Sequence, residues 1–298
     1  METCQISGAS GFVGSNLQSY LANDFVVLPL SVRYKKNQII ELNADHIIHA
    51  AGKAHELKHS LDDSAYYKAN YELTKQLFDA FLGSNSKTFI FISSVKAVTD
   101  KVAGLLTEES RAHPLTSYGK SKKLAEDYIQ SHIIPEGKQV FILRPCMIHG
   151  KGNKGNLNLL FKIVSKGFPW PLGSFENKRS FLSVENLCYV IKELLNRTDI
   201  PSGIYNLADD DAISTNELIQ IMGNSLNKKT VIWKIPVSYI KIIARVGDFL
   251  ALPLHSKRLE KLTESYLVDN AKIKHAMGKE LPVCAREGLL NTLKSFNK

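Results

Sequence analysis

The chain has little that would tie it to a metal, a disulfide framework or a membrane span. Its four cysteines, Cys4, Cys146, Cys188 and Cys284, lie far apart and share no Cys-x-x-Cys spacing. That argues against a zinc site and against a disulfide scaffold, and leaves buried thiols as the expectation. His49, His55 and His149 form no pair at metal-ligand spacing, so local hydrogen bonding is their expected role and no metal is assigned. No apolar run reaches the roughly 18 residues a bilayer span requires. The most apolar late stretch, YIKIIARVGDFLALPL, is interrupted by Lys241, Arg245 and Asp248 and reads as a surface or interface helix. No charged segment followed by an apolar one opens the chain, so a secretory signal is not expected and a cytoplasmic location is. The formal charge is +9, yet the lysines and arginines are scattered, with no run of five. Nucleic acid is therefore not the expected partner. A small polyanionic ligand, such as a nucleotide cofactor with a nucleotide-linked substrate, accounts for the basic bias equally well.

What is present is an ordinary globular composition: 298 residues, 44% hydrophobic and 22% charged, enough for one large domain with a smaller lobe. The segments CQISGA, FVVLPLSV, DHIIHAAG, KTFIFISS and QVFILRP read as strands. Helical patterns separate them, and continuous apolar strands between helices indicate an α/β chain with a doubly wound parallel sheet of Rossmann type. After Gly150 the character changes to a Gly- and Asn-rich loop, an aromatic stretch and mixed helix and loop, with GIYNLADD as one more strand returning to the sheet. The expected division is residues 1–150 as the dinucleotide-binding part with a return segment at 185–208, and 151–184 with 209–298 as a smaller mixed substrate-binding lobe.

Immediately after the first strand, SGASGFVG supplies Gly8, Gly11 and Gly14 at the opening of a helix. The first glycine permits a tight turn, the second lets backbone approach a pyrophosphate, and the third allows close packing, while the helix N-terminus offers amide donors. Ser10, Phe12 and Val13 belong to the same loop. A cofactor with a free ribose 2′-hydroxyl usually meets an acid about twenty residues further on. Between Asp24 and Glu41 there is none. Ser31 and Arg33 stand at that strand end instead, and a guanidinium suits a 2′-phosphate, so NADP(H) is favoured over NAD(H). The alternative is that Arg33 and Lys35 solvate a surface turn.

Tyr118 and Lys122, in TSYGKSKKLAEDY, are four apart and share a helical face. A phenol ordinarily titrates near pH 10 and needs neighbouring positive charge to exchange a proton at neutral pH. Upstream, FIFISSVKAV ends a strand with Ser93 and Ser94 at the edge of the sheet where ligands of such folds bind.

Taken together these residues resemble the extended short-chain dehydrogenase/reductase superfamily, the NAD-dependent epimerases, dehydratases and reductases of nucleotide sugars. The resemblance covers essentially the whole chain: the three glycines, His49 to Gly52, Asn70, Ser94, the Tyr118/Lys122 pair, RPCMIHG from Arg144, RSFLSVENL from Arg179 and GIYNLAD from Gly203. It implies that Tyr118 is the general acid/base, that Lys122 lowers its pKa and holds the nicotinamide ribose, and that Ser94 binds the reacting oxygen. It places Ala50, Ala51, Gly52, Asn70 and Pro145 on the cofactor side and implies a homodimer through the helices near Tyr66 and Tyr118, although the apolar stripe there fits intramolecular core equally.

Dehydratases of the superfamily carry acidic chemistry just after the hydroxyl residue, whereas this chain has Ser94-Val95-Lys96, and Val95 cannot exchange a proton. Two reactions remain, a C4 epimerase and a 4-keto reductase. The segments are most similar to reductases of UDP-4-keto-6-deoxy-N-acetylhexosamines, which serve bacterial surface polysaccharides. Ala97-Val98-Thr99 departs from the Val-Tyr-Gly of epimerases. On the substrate side, Arg179 could meet a diphosphate, Asn156 add a polar contact, Pro169, Trp170 and Leu172 frame a uracil, and Lys96 touch the sugar. The competing readings are a surface ion pair for Arg179, a core anchor for Trp170 and a sheet-edge contact for Lys96. A non-catalytic NADP sensor is the alternative of another class; such proteins often lose the Tyr or the Lys, and both are present.

Overall fold

The computed structural model describes residues 1–54, 63–153, 155–250 and 255–296; His55 lies outside them. Six strands form the central sheet: β1 (Thr3–Ser7), β2 (Val26–Leu30), β3 (His46–His49), β4 (Thr88–Ile92), β5 (Gln139–Pro145) and β6 (Gly203–Leu207). Their order is β6-β5-β4-β3-β1-β2 and every pairing is parallel. This is the expected doubly wound α/β sheet, and GIYNLADD does return to it beside β5. The chain enters at β1, moves outward to β2 and then crosses to β3, so the order reverses between β1 and β3 and leaves a crevice at the carboxyl ends.

Side chains alternate across a strand, and the sequence uses the alternation on both faces. Ile48 and Ile90 point into a core that includes Ile6, Leu17, Leu21, Phe141 and Leu187. Their neighbours Ile47, Phe89 and Phe91 enter the opposite core, with Leu77, Phe78, Phe81, Ala125 and Ile129. The first face is covered by helices α1 (Phe12–Leu21) and, later, α5 (Val184–Asn196); the second by α2 (Leu73–Gly83) and α3 (Ser117–Gln130). The apolar stripe of ANYELTKQLFDAFL is thus spent inside the chain, where Leu77, Phe78 and Phe81 are fully buried. A single π-helical turn, Lys68–Glu72, leads into α2. Strand β2 is the exception to continuous burial. It lies at the sheet edge with Val26 and Leu28 exposed, and Pro29, which has no N–H to donate, is tolerated there.

The remaining chain builds a second, smaller core from α4 (Asn156–Ser165), α6 (Thr215–Ser225), α7 (Val237–Leu250), α8 (Ser256–Thr263) and α10 (Ala285–Ser295), joined by Trp170 and Leu172. Between α8 and α10 lies the short α9 (Ala271–Met277), whose Ile273 and Met277 join the core on the α1 and α5 face of the sheet. The segment YIKIIARVGDFL is helical as expected, with Ile240, Ala244 and Gly247 buried. Cys4, Cys146 and Cys188 are buried thiols, whereas Cys284 departs from that expectation: it precedes α10 and is exposed. Among the described residues no helix is long and apolar enough to cross a membrane, and no cluster of His, Cys, Asp and Glu could hold a metal ion.

Phe78 contacts Phe81, Phe89, Tyr128 and His132 edge-on or stacked beneath the sheet. Phe78→Ala is expected to lower stability by about 3–5 kcal/mol, read by urea denaturation, because that cluster cannot collapse around the lost ring.

Candidate active site

A cavity of about 570 Å³ opens at the carboxyl ends of β1, β3, β4 and β5. One end is the glycine loop. Gly8 adopts φ +71°, and a Cβ there would stand 2.6 Å from the backbone nitrogen of Ala51; a Cβ on Gly14 would stand 2.2 Å from the Gly8 carbonyl oxygen. Only bare backbone lets the ends of β1 and β3 approach this closely. Helix α1 begins just after Gly11 with no side-chain cap, so the first-turn amides near Phe12 and Val13 face the cavity with no intrahelical acceptor. Uncapped amides at a positive helix end beside side-chain-free backbone fit the pyrophosphate of a dinucleotide.

The approach of β1 and β3 is fixed by a chain of hydrogen bonds. The Ala51 N–H donates to Ser7 Oγ (3.3 Å), and Ser7 Oγ lies 2.6 Å from His49 Nδ1. His49 Nε2 lies 2.9 Å from Thr74 Oγ1, whose hydroxyl donates to the Asn70 carbonyl at 2.7 Å. Thr74 has spent its proton, so the imidazole must donate from Nε2 and accept at Nδ1. Burial, aided by Lys122, pushes the His49 pKa down to about 3, consistent with this neutral tautomer.

Asn70 is fully buried and does not line the cavity. Its Oδ1 accepts from the Lys53 N–H (2.8 Å) and its Nδ2 donates to the Lys53 carbonyl (3.1 Å) and Ser121 Oγ (3.0 Å). It clamps the strand-end segment that carries Ala50, Gly52 and Lys53 along the cavity wall. Ala51 is held in the same segment. Ser10, Ser31 and Arg33 are exposed. Ser31 and Arg33 follow β2 directly, and Leu30 pairs with Ser7, one residue before Gly8, so both stand beside the glycine loop without lining the cavity.

At the other end of the cavity the structure brings together Ser94, Tyr118, Lys122 and Pro145. Ser94 caps a short 3-10 turn, accepting from the Lys96 N–H at 3.2 Å, and its hydroxyl is near enough to the Tyr118 phenol to influence its titration. Burial pushes the phenol's pKa up and the Ser94 hydroxyl pulls it back. Thr116 caps α3, accepting from the Gly119 N–H at 3.2 Å, which sets the helix so that Tyr118 lies in its first turn. One turn on, Lys122 is buried. Its ammonium donates to the Ile92 carbonyl (2.7 Å) and sits 4.6 Å from the centroid of Phe91. Burial drives its pKa down to about 7, against the pull of Glu126. Gly52 makes room for it: a Cβ there would meet Asn70 Oδ1 at 2.8 Å and Lys122 Nζ at 3.3 Å.

Glu126 extends the same helical face by one further turn and was not singled out from the sequence. It is fully buried, accepts a 2.5 Å bond from Ser93 Oγ, and receives Arg144 through Nε (3.0 and 3.2 Å) and NH2 (2.6 Å). The signal was available: Tyr118, Lys122 and Glu126 repeat at four-residue spacing, which places all three on one face.

On the lobe side, Lys96, Asn156 and Arg179 line the cavity. Lys96 donates to the Asp100 carbonyl (2.8 Å) and lies over the Tyr266 ring. Arg179 is partly committed, donating from Nε to the Glu264 carbonyl (2.9 Å) and from NH2 to the Lys261 carbonyl (2.6 Å). Trp170 is not brought to the cavity. It is 6% exposed in the lobe core and exchanges backbone bonds with Val231 and Trp233. Met147, Ile148, Glu264 and Tyr266 line the cavity without having been foreseen. Tyr266 stands at the far end of the chain, in a stretch with no spacing that marks it.

A strand-helix glycine cradle joined by one cavity to a Ser, Tyr and Lys constellation decides the relationship. The chain belongs to the NAD dependent epimerase/dehydratase family, matching it over residues 4–208. It is 28% identical to the UDP-glucose 4-epimerase of Vibrio cholerae, over 98% of this chain and 94% of that one. It is also 28% identical to the N-acetyl-alpha-D-glucosaminyl-diphospho-ditrans,octacis-undecaprenol 4-epimerase of Escherichia coli O157:H7, over 96% and 92%. Among solved structures, RMD from Pseudomonas aeruginosa complexed with NADPH superimposes with a TM-score of 0.73 over 99% of both chains at 22% identity, which shows a shared fold.

The depressed pKa of Lys122 sets a pH dependence. The unfolded lysine holds its proton up to its ordinary pKa, the folded one only to about 7. Between these values the unfolded state binds more protons, so this group's penalty is full below about pH 7 and is relieved as pH rises. Lys122→Met is therefore expected to raise stability at pH 7 by about 1–4 kcal/mol and to flatten the rise of stability above pH 7. Thermal melts across pH would show it, and an unchanged slope would refute it.

Proposed function

We propose that this chain is an NADP(H)-dependent reductase of the C4 keto group of a UDP-linked 4-keto-6-deoxy-N-acetylhexosamine, a step in making sugars for bacterial surface polysaccharides. The observation that carries the reading is the end of β4. Beyond Ser94, the residue that meets Tyr118, comes Val95, 3% exposed and apolar, where water loss would need a second proton carrier. One phenol with one hydroxyl partner handles one proton, which suits adding a hydride and a proton across a carbonyl and disfavours a dehydratase. The preference over an epimerase rests on the similarity of SSVKAV, SYGKSK and the loop before Arg179 to 4-keto reductases.

In this reading Tyr118 donates its proton to the C4 oxygen as the carbonyl becomes a secondary alcohol. Ser94 holds that oxygen beside the phenol, and the Lys122 ammonium stabilises the phenolate left behind. A nicotinamide dinucleotide supplies the hydride. Gly8, Gly11, Phe12, Val13 and Gly14 would hold its pyrophosphate, Ala50 and Gly52 its central wall and Arg33 a 2′-phosphate, while Arg179, Asn156 and Lys96 face the sugar diphosphate. The protein works as a cytoplasmic homodimer in this proposal. The lobe side is basic where a diphosphate would lie, and Arg179 keeps further guanidinium donors for it.

A second reading, a C4 epimerase on a retained cofactor, is favoured by the names of the two relatives that match nearly the whole chain. The two readings differ in cofactor balance. Purified protein given NADPH and freshly generated UDP-4-keto-6-deoxy-N-acetylglucosamine is expected to oxidise one NADPH per sugar, and Tyr118→Phe to slow this about 10²–10⁴-fold. NADPH left intact while a UDP-N-acetylhexosamine interconverts with its C4 epimer would replace the reductase with the epimerase. Arg33→Glu is expected to raise the KM for NADPH by about tenfold or more while leaving that for NADH nearly unchanged, since the lost charge-assisted bond serves only the 2′-phosphate. Equal effects on both cofactors would remove Arg33 from the site.

A further inference from the structure

Helix α7 carries an apolar face that the described residues leave exposed. Ile240, Ala244 and Gly247 turn inward to the lobe core. A separate set at positions i, i+3, i+4, i+7, i+10 and i+11, namely Tyr239, Ile242, Ile243, Val246, Phe249 and Leu250, is between 47% and 91% exposed. At 100° per residue these six fall in one stripe about 120° wide, beside the buried residues and not overlapping them. Arg245 and, beyond it, Lys241 flank it on one side, both exposed. A polar surface helix would keep such positions charged, and a core helix would bury them.

We propose that this face docks onto an anionic lipid surface, with α7 lying in the plane of the headgroups. Charge selects this occupant. Residues 228–261 hold eight lysines and arginines against two acids. Both acids are engaged: Asp248 accepts from the N–H (2.9 Å) and Oγ (2.5 Å) of Ser256, and Glu260 is bonded to Lys101. An apolar stripe bordered by basic residues is the pattern of an interfacial helix on anionic lipid. A second copy seated on the same stripe would bring like charges together across the twofold. The helix is too short to span, so in-plane insertion is the geometry open to it.

The docking face is tied to the cavity. Asp248 joins the end of α7 to the start of α8, and the far end of α8 offers the Lys261 and Glu264 carbonyls to Arg179, which lines the cavity with Glu264. A bilayer against α7 thus lies on the element that forms one wall of the site. The proposal is independent of which C4 reaction the site performs.

The test uses the full chain and sedimentation with vesicles of phosphatidylcholine, alone or in equal parts with phosphatidylglycerol. Binding to the anionic vesicles, weak on phosphatidylcholine alone, is expected. Ile242→Ser/Val246→Ser/Phe249→Ser should weaken it about tenfold or more while turnover of a soluble substrate and the melting temperature hold. Lys241→Gln/Arg245→Gln should weaken it about 25-fold, since each cation near the surface contributes roughly fivefold. Failure of the unaltered protein to bind anionic vesicles would overturn the proposal, as would binding indifferent to lipid charge. So would a change from dimer to monomer by light scattering in the triple-serine variant, which would make the face an interface between copies.

Discussion

The buried ammonium of Lys122 is the constraint around which the rest of the site is arranged. A charge taken out of water costs several kcal/mol unless it is met by other groups. Here the nearest carboxylate, Glu126, is already taken by the two-pronged grip of Arg144 and by Ser93. Lys122 is left with one carbonyl and one aromatic face. That under-satisfaction pulls its pKa to near neutrality and leaves its remaining donors for whatever enters the cavity. Groups that would complete its coordination permanently would stabilise the protein and silence the site.

Holding a charge in such a place requires rigidity on every side, and the sequence supplies it through groups that do no chemistry. Asn70 clamps Lys53 so that Gly52 lies against the lysine, and a π turn presents Asn70 at the required angle. His49, kept neutral by burial, relays hydrogen bonds from Ala51 through Ser7 to Thr74 and so fastens the ends of β1 and β3. The same fastening holds Gly8 where no side chain is tolerated. The phosphate cradle and the proton-handling end are thus two faces of one locked strand-end region.

The fold was legible in the sequence because parallel strands buried on both faces read as unbroken apolar runs, and helices between them read at their own period. That the glycine loop, Ser94, Tyr118 and Lys122 meet at one cavity was legible because a tight turn after β1, a strand end and a helix start converge at the carboxyl edge of such a sheet. Strand β2 was legible as a strand, but its exposure was not, since an edge position is set by topology. Trp170 reads alike as a ring-stacking wall or a core anchor, and the structure places it in the lobe core, 6% exposed. Glu126 escaped notice because a helical glutamate is ordinarily solvated, and only the arrival of Arg144 from β5 makes burial tolerable. Tyr266 and Glu264 reach the cavity from far along the chain, a long-range contact that no local pattern announces.

The lobe reaches the cavity from a core of its own. Among its contributions to the cavity, Arg179, Asn156 and Glu264 come from short segments beside a core separate from the sheet, whereas Tyr266 joins the sheet's own core and donates to the Thr99 carbonyl. Changes there alter what fits without disturbing Lys122 or the cradle. Arg179 spends two donors on the carbonyls closing α8, which fixes its guanidinium at the cavity. Two carbonyls hold it closely, and the Glu264 carboxylate stands further off, 3.8 Å from NH2, so the ion pair is a loose one. A tight ion pair at the same position would have given equal order and far less attraction.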